Sequence, residues 1–169
     1  MKKIFIITGI ASMVLFAQAC KKDKVAKDED RTLLDLARAT TGFTWYKNDA
    51  SLLPRSAASG HSQAYLRTRY NATASSKLDS LGKVDSTAIF PEGSLIVKEL
   101  FKDANTLDLY AILYKSSGHE NADANGWVWG YINADETVNI PSSDKGSACI
   151  SCHSQSGNID YMLMNKYFP

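Results

Sequence analysis

Residues 90–101 read Phe-Pro-Glu-Gly-Ser-Leu-Ile-Val-Lys-Glu-Leu-Phe, and this stretch decides the fold class. Its first four residues place proline and glycine where a tight turn needs them. The residues that follow alternate at a period of two, which is typical of a strand with two different faces. One face carries Lys98 between Ile96 and Leu100, and the other carries Leu95, Val97, Glu99 and Phe101.

The same period recurs on both sides of this strand. Alternating patterns over 64–71, 107–114 and 127–132 predict three more strands, and 138–140 a short one after a turn at 133–136. Consecutive strands joined by turns form antiparallel pairs. We therefore expect a mainly antiparallel sheet.

Helical spacing of apolar residues is confined to the two ends of this region. It predicts a helix over 31–41, ended by Gly42, and a last helix over 160–167. Proline, glycine and serine predict a loop between 50 and 62. The fold class expected is α+β, a mainly antiparallel β-sheet with a few flanking helices, in one domain of residues 31–169.

The amino end is typical of an exported protein. Two lysines, an apolar run over 4–16 and small residues before Cys20 predict a secretory signal over 1–19. A retained helical anchor is the alternative, although the run is short for a membrane span. A cysteine after the cleavage site resembles a bacterial lipoprotein signal, so we expect lipid on Cys20 and a charged tether over 20–30. The expected location is the periplasm or cell envelope, with membrane contact only through the lipid.

The charge balance excludes one class of partner. Without residues 1–19 the chain has 17 basic and 18 acidic residues, a formal charge of −1. No basic run is interleaved with aromatic residues, so a nucleic acid is not an expected partner.

The cysteines carry the clearest chemical signal. If Cys20 carries lipid, Cys149 and Cys152 remain, in the sequence Cys-Ile-Ser-Cys-His that ends at His153. This C-x-x-C-H pattern is typical of covalent c-type haem attachment. Two thiols on one helical turn can each form a thioether to a haem vinyl group, and the adjacent histidine can ligate the iron.

Three other interpretations of the pair stay open. A structural disulfide does not call for His153. A thioredoxin-like redox pair lacks the surrounding α/β pattern. A zinc site lacks a second pair of ligands at suitable spacing.

Few residues could fill the sixth position on an iron bound by His153. His61 could line a distal pocket or lie exposed, and His119 stands in an evident loop. Met162 and Met164 follow the motif too closely to reach the opposite face, and core packing suits them better. We therefore expect an open sixth site.

Several of these segments together resemble the cytochrome P-460 family and its relative cytochrome c′-β. The resemblance covers roughly residues 40–169, and its most specific part is the turn and strand at 90–100. The other segments that carry it are Leu66–Asn71, the Trp-rich strand at 126–131, the motif at 146–153, Asp160-Tyr161 and the last three residues.

The resemblance implies a mostly antiparallel domain, often dimeric, with one five-coordinate haem c. Cytochromes P-460 bond a lysine to a haem meso carbon and oxidise hydroxylamine, whereas cytochromes c′-β lack that bond and bind nitric oxide. Lys98 matches the family lysine, and Arg67 matches a distal arginine. The family's distal carboxylate is replaced by Tyr110, unless the strand slips and Asp108 takes its place, and this weakens the enzyme interpretation.

Lys98 also stands out without the resemblance. An ammonium on an apolar face is desolvated, which would lower its pKa and free the amine as a nucleophile. The alternative is a stem that covers apolar surface while its head reaches water. The expected function is therefore binding or oxidation of hydroxylamine or nitric oxide, with a redox partner protein. Simple electron transfer is the remaining alternative.

Overall fold

The computed structural model describes residues 28–169. Its elements in chain order are α1 (Glu29–Arg38), β1 (Phe43–Trp45), β2 (Leu53–Pro54), β3 (Tyr65–Asn71), α2 (Ala72–Ser75), β4 (Leu95–Phe101), β5 (Leu107–Lys115), β6 (Trp127–Asn133), β7 (Val138–Ile140), α3 (Ile150–His153) and α4 (Met164–Tyr167). Short 3₁₀ turns lie at Tyr46–Asn48 and Ser142–Asp144. The secretory signal, the lipid site at Cys20 and most of the expected tether lie outside the described residues.

The seven strands form one antiparallel sheet, in the order β1-β3-β4-β5-β6-β7, with β2 also paired to β3. The predicted class, a mainly antiparallel sheet with a few short helices, is confirmed. None of the helices over residues 28–169 is long and apolar enough to cross a membrane.

The two ends of the domain differ from the sequence prediction. Helix α1 begins at Glu29, and the Asp28 side chain caps it by accepting from the backbone N–H groups of Asp30 and Arg31. The last residues expected in the tether are therefore part of the fold. At the other end, Asp160 and Tyr161 have φ of 44° and 70°, which breaks the predicted helix and leaves only Met164–Tyr167 helical.

The register of the sheet sorts side chains into rows. Thr68, Lys98, Ala111 and Tyr131 pair across β3, β4, β5 and β6 and form one row. The neighbouring row contains Arg67, Glu99, Tyr110 and Ile132. Because successive residues of a strand point to opposite faces, these two rows lie on opposite sides of the sheet.

Each face of the sheet buries its own apolar cluster. Helix α1 covers one face with Leu33, Leu34 and Ala37. The opposite face is covered by the carboxyl-terminal segment, including Tyr161 and Met164. The element that carries the C-x-x-C-H motif therefore packs on the face away from α1.

A buried arginine fixes α1 to its face of the sheet. Arg69 is 1% exposed and donates to the backbone carbonyls of Ala37 and Ala39 at the end of the helix. Its guanidinium also lies 3.1 Å from the Glu99 carboxylate. The carbonyl groups left unpaired at the end of the helix thus accept hydrogen bonds from the buried guanidinium.

Candidate functional site

A cleft opens on the face of the sheet away from α1, and the motif cysteines form its wall. Its empty volume, including the part open to solvent, is about 780 Å³. Its titratable lining residues are His61, Lys98, Tyr131, Cys149, Cys152 and His153. It continues inward past Thr68, Ala111 and Trp129 into a largely apolar region.

His153 is held with one nitrogen committed and the other available. Its Nδ1 lies 2.8 Å from the backbone carbonyl oxygen of Tyr161. A carbonyl only accepts, so Nδ1 carries the proton and Nε2 keeps its lone pair. Burial, followed by the charge of Lys98, lowers the pKa of His153 to about 4, although the Tyr161 hydrogen bond opposes this. The imidazole is therefore neutral near pH 7, as a metal ligand must be.

The backbone conformation of Asp160 and Tyr161 orients the Tyr161 carbonyl toward His153. Both Asp160 and Tyr161 have a left-handed backbone conformation, which residues other than glycine adopt only where their surroundings impose it. The constraint comes from the Asp160 carboxylate, which accepts from the Phe90 backbone N–H at 2.9 Å and from the Trp127 indole at 3.0 Å. The Asp160 side chain thus anchors the segment that orients His153.

A second carboxylate holds the ring that packs against His153. Asp123 accepts from the Trp129 indole N–H at 2.8 Å, and the Trp129 ring meets the His153 ring edge to face at 5.2 Å. Gly146 allows the motif to approach this indole, since a Cβ there would lie 2.6 Å from the Trp129 ring. These contacts limit the directions in which His153 can turn.

The two thiols are free and reside at the two ends of a helical turn. Cys149 caps α3 and Cys152 lies within it, and no disulfide joins them. Burial, then the charges of Asp144 and Cys152, raises the pKa of Cys149. A redox dithiol needs a lowered thiol pKa, so this environment argues against that alternative. Within residues 28–169, no three His, Cys, Asp or Glu side chains are grouped as metal ligands.

Lys98 faces the cleft, as the strand period predicts. It is half-buried, in the row with Ala111 and Tyr131. Burial lowers its pKa to about 8, while the nearby Cys152 thiol acts in the opposite direction. A substantial fraction of its amine is therefore neutral at mildly alkaline pH.

His61 lines the cleft rather than lying exposed. Its ring stacks on Tyr131 at 5.8 Å between centroids, and its Nδ1 lies 3.2 Å from the Tyr131 hydroxyl. The His61 and His153 centroids are 6.4 Å apart. Burial, followed by the charges of Lys98 and His153, lowers the pKa of His61 to about 3. In the sequence, the only sign that His61 lines the cleft is its position in the loop before β3.

Arg67 and Tyr110, expected on the distal side, lie on the other face of the sheet. Arg67 binds Glu99, with its Nε 2.6 Å from the carboxylate, and stacks on Trp45. Tyr110 packs against the α1 cluster, where burial and Glu99 raise its pKa. The structure places both residues away from the cleft, because the register pairs them with Glu99 rather than with Lys98.

Ala111, the neighbour of Tyr110 in β5, does line the cleft, together with Ile112 and Leu113. Asp108 is no substitute, because it binds Lys102 at 2.9 Å and Gln63 at 2.9 Å at the edge of the sheet. Of the described residues that line the cleft, none is a carboxylate.

The remaining histidine and methionines agree with the sequence interpretation only in part. His119 is not freely solvated, since its Nε2 lies 3.0 Å from Glu29. Met162 and Met164 are buried core residues, and the Thr68 hydroxyl donates to the Met164 sulfur.

Comparisons with protein-family models, with curated proteins and with solved structures gave no match to this chain. The likeness to cytochromes P-460 therefore stays a prediction from the sequence.

Proposed function

We propose that the chain is an exported mono-haem c-type cytochrome of the cytochrome P-460 type that binds or oxidises small nitrogen species. One haem c would be attached through Cys149 and Cys152, with His153 as the iron ligand. The observation that carries the proposal is the Nδ1 contact of His153 with Tyr161, which leaves Nε2 free in a cleft walled by both thiols.

The residues of the cleft fit such a group. Its inner part is apolar, as a porphyrin ring requires, with Trp129, Leu163 and Met164 among its walls. The thiols stand on one helical turn beside the available imidazole. Haem iron supplies a site for small nitrogen ligands and a route for electrons.

The chain's own residues would handle the chemistry around that iron. Lys98, with its lowered pKa, is the candidate to form the bond to the ring that defines cytochromes P-460. That bond would replace an amine N–H and the C–H of the meso carbon, and the two electrons released would have to pass to an external two-electron oxidant such as a peroxide. Where Lys98 is not bonded to the ring, its amine is the base of the cleft that could hold a proton at a bound hydroxylamine.

A second function, nitric oxide binding without catalysis, is favoured by one observation. Ala111 lines the cleft and no carboxylate is among the described residues that line it, whereas Tyr110, at the position expected for the family's carboxylate, faces away with Arg67. Hydroxylamine oxidation releases protons, and a methyl group accepts none. Nitric oxide binding needs no proton acceptor.

Export and electron exchange complete the proposal. The leader and Cys20 support a lipid-anchored protein of the periplasm or cell envelope, and oxidation would need a redox partner protein. A homodimer is the assembly implied by the resemblance.

Spectra of the mature protein, produced with c-type maturation machinery, test these alternatives. A strongly red-shifted ferrous Soret band that disappears in Lys98→Ala supports the lysine bond, and hydroxylamine-dependent reduction of an electron acceptor then supports the enzyme. An ordinary haem c spectrum that changes with nitric oxide, without turnover of hydroxylamine, supports the binder. Lys102→Ala is the matched control, because Lys102 lies at the sheet edge with Asp108. A protein without haem contradicts both functions.

A further inference from the structure

We propose that His61 is the second axial ligand of the iron at rest, so that the loop before β3 gates the distal site instead of leaving it open. This inference rests on the proposed haem site. It departs from the expectation of a free sixth position, and it follows from where the structure puts the two cleft histidines.

The spacing of the two rings suits one shared metal ion. A metal–imidazole nitrogen bond is about 2 Å long, so two imidazoles on opposite sides of one ion have centroids about 6 Å apart. The His61 and His153 centroids are 6.4 Å apart, with their planes at 74°. A distal histidine that only contacted a bound ligand would need room for that ligand between itself and the iron.

The sheet places these rings side by side over one strand. His153 packs on Trp129 and His61 stacks on Tyr131, two residues further along the same face of β6. A haem ring between the two imidazoles would therefore have one of them on each side. Both histidines line the cleft, together with both motif cysteines.

Both histidines are held by the same nitrogen. Nδ1 of His153 lies 2.8 Å from the Tyr161 carbonyl, and Nδ1 of His61 lies 3.2 Å from the Tyr131 hydroxyl. In each case Nε2 is the nitrogen left for a metal. A hydrogen bond to the distant nitrogen is the usual support of a ligating histidine.

Other possible iron ligands among the described residues are less suited to this position. Lys98 is the residue proposed to bond the ring carbon, and an amine bonded there is not available to the iron. The Met164 sulfur accepts from Thr68 within the core. His119 is bound to Glu29 at α1.

The His61 backbone makes two long hydrogen bonds, both within its own loop. The His61 backbone N–H donates to Ser59 at 3.3 Å, and Arg55 donates to the His61 carbonyl at 3.4 Å, both near the limit for hydrogen bonds. Gly60 approaches Cys152 without a side chain of its own. An external ligand can therefore displace His61 by moving a short loop.

Electron paramagnetic resonance and absorption spectra of the ferric, haem-loaded protein test this inference. We expect a six-coordinate low-spin haem in the wild type and a high-spin haem in His61→Ala, with added imidazole restoring the low-spin form. His119→Ala, the matched control outside the cleft, should stay low-spin. Cyanide binding should saturate with concentration in the wild type, and should be roughly tenfold faster or more in His61→Ala, where no ligand must first leave.

A high-spin wild-type protein overturns the inference while leaving the haem proposal intact. Retention of the low-spin spectrum in His61→Ala also overturns it, because another side chain would then be the ligand. If His61→Ala fails to retain haem, His61→Met keeps a ligating side chain at this position, and a low-spin signal identical to that of the wild type would overturn the inference. A wild type without covalent haem contradicts the proposed function itself, and this inference with it.

Discussion

Nδ1 of His153 and the backbone carbonyl oxygen of Tyr161 are 2.8 Å apart, and this contact connects the motif to the carboxyl-terminal segment. It depends on a left-handed backbone at two consecutive residues. The Asp160 carboxylate holds that backbone in place by binding the Phe90 N–H and the Trp127 indole. Four segments distant in sequence thus cooperate to orient one imidazole.

Asp160→Asn should weaken this arrangement. The amide can no longer accept two charge-assisted hydrogen bonds, so we expect the free energy of unfolding to fall by about 1.5–3 kcal/mol. The haem reduction potential should rise, because a loosely held Nδ1–H makes His153 a weaker donor to the iron. Denaturant unfolding and a redox titration measure the two effects. Asp85→Asn, in an exposed turn with Thr87, is the control and should leave the potential unchanged. An unchanged potential in Asp160→Asn would count against the positioning role.

Arg67→Met and Tyr110→Phe should leave the haem spectrum and nitric oxide affinity unchanged. Both side chains lie on the face of the sheet opposite the cleft. Lys98→Met, in the row that faces the cleft, should alter the spectrum. Absorption titrations with nitric oxide compare the three variants. A large effect of Arg67→Met with no effect of Lys98→Met would mean that the register across β3 and β4 is incorrect.

Arg69→Met should cost much more stability than Arg67→Met. Arg69 is 1% exposed and binds Glu99 and the end of α1, whereas the side chain of Arg67 is 32% exposed. Glu99 keeps a partner in either variant, but only loss of Arg69 leaves the Ala37 and Ala39 carbonyls at the end of α1 unpaired, at about 1–3 kcal/mol for each buried group. Urea unfolding measures both variants. Equal losses would show that the two arginines share the Glu99 carboxylate evenly.

Lys98→Met should stabilise the protein in a pH-dependent way. The pKa of Lys98 is about 8 when folded and 10.5 ordinarily, so the unfolded chain binds an extra proton between these values. Stability of the wild type therefore rises from pH 8 to 10.5, and burial of the charge is most costly below pH 8. We expect the variant to gain on the order of 2 kcal/mol at pH 7 and less at pH 10.

Urea unfolding of the haem-loaded proteins at both pH values measures this gain. Peptide mapping shows whether Lys98 is free, since a lysine bonded to haem cannot titrate in this way. A gain that is equal at both pH values, with Lys98 free, would mean that its amine is not desolvated in the cleft.

The sequence predicts the long strands well and the site only in part. The period of two predicts β3, β4, β5 and β6, and it correctly predicts that Lys98 lies on an apolar face of the sheet. It could not give the register between strands, which is set by tertiary pairing, so the expected distal position of Arg67 rested on the resemblance alone. Strands as short as β1 and β2 show no period at all. The left-handed pair at Asp160 is also hidden, because its cause is a contact with β6.

Retention of haem after acid-acetone extraction tests the central claim most directly. We expect haem to stay with the mature wild-type protein and to be extracted from the Cys149→Ser/Cys152→Ser double variant, with each single variant retaining one thioether. Release of all the haem from the wild type, or failure to acquire any in the presence of the maturation machinery, would contradict the account.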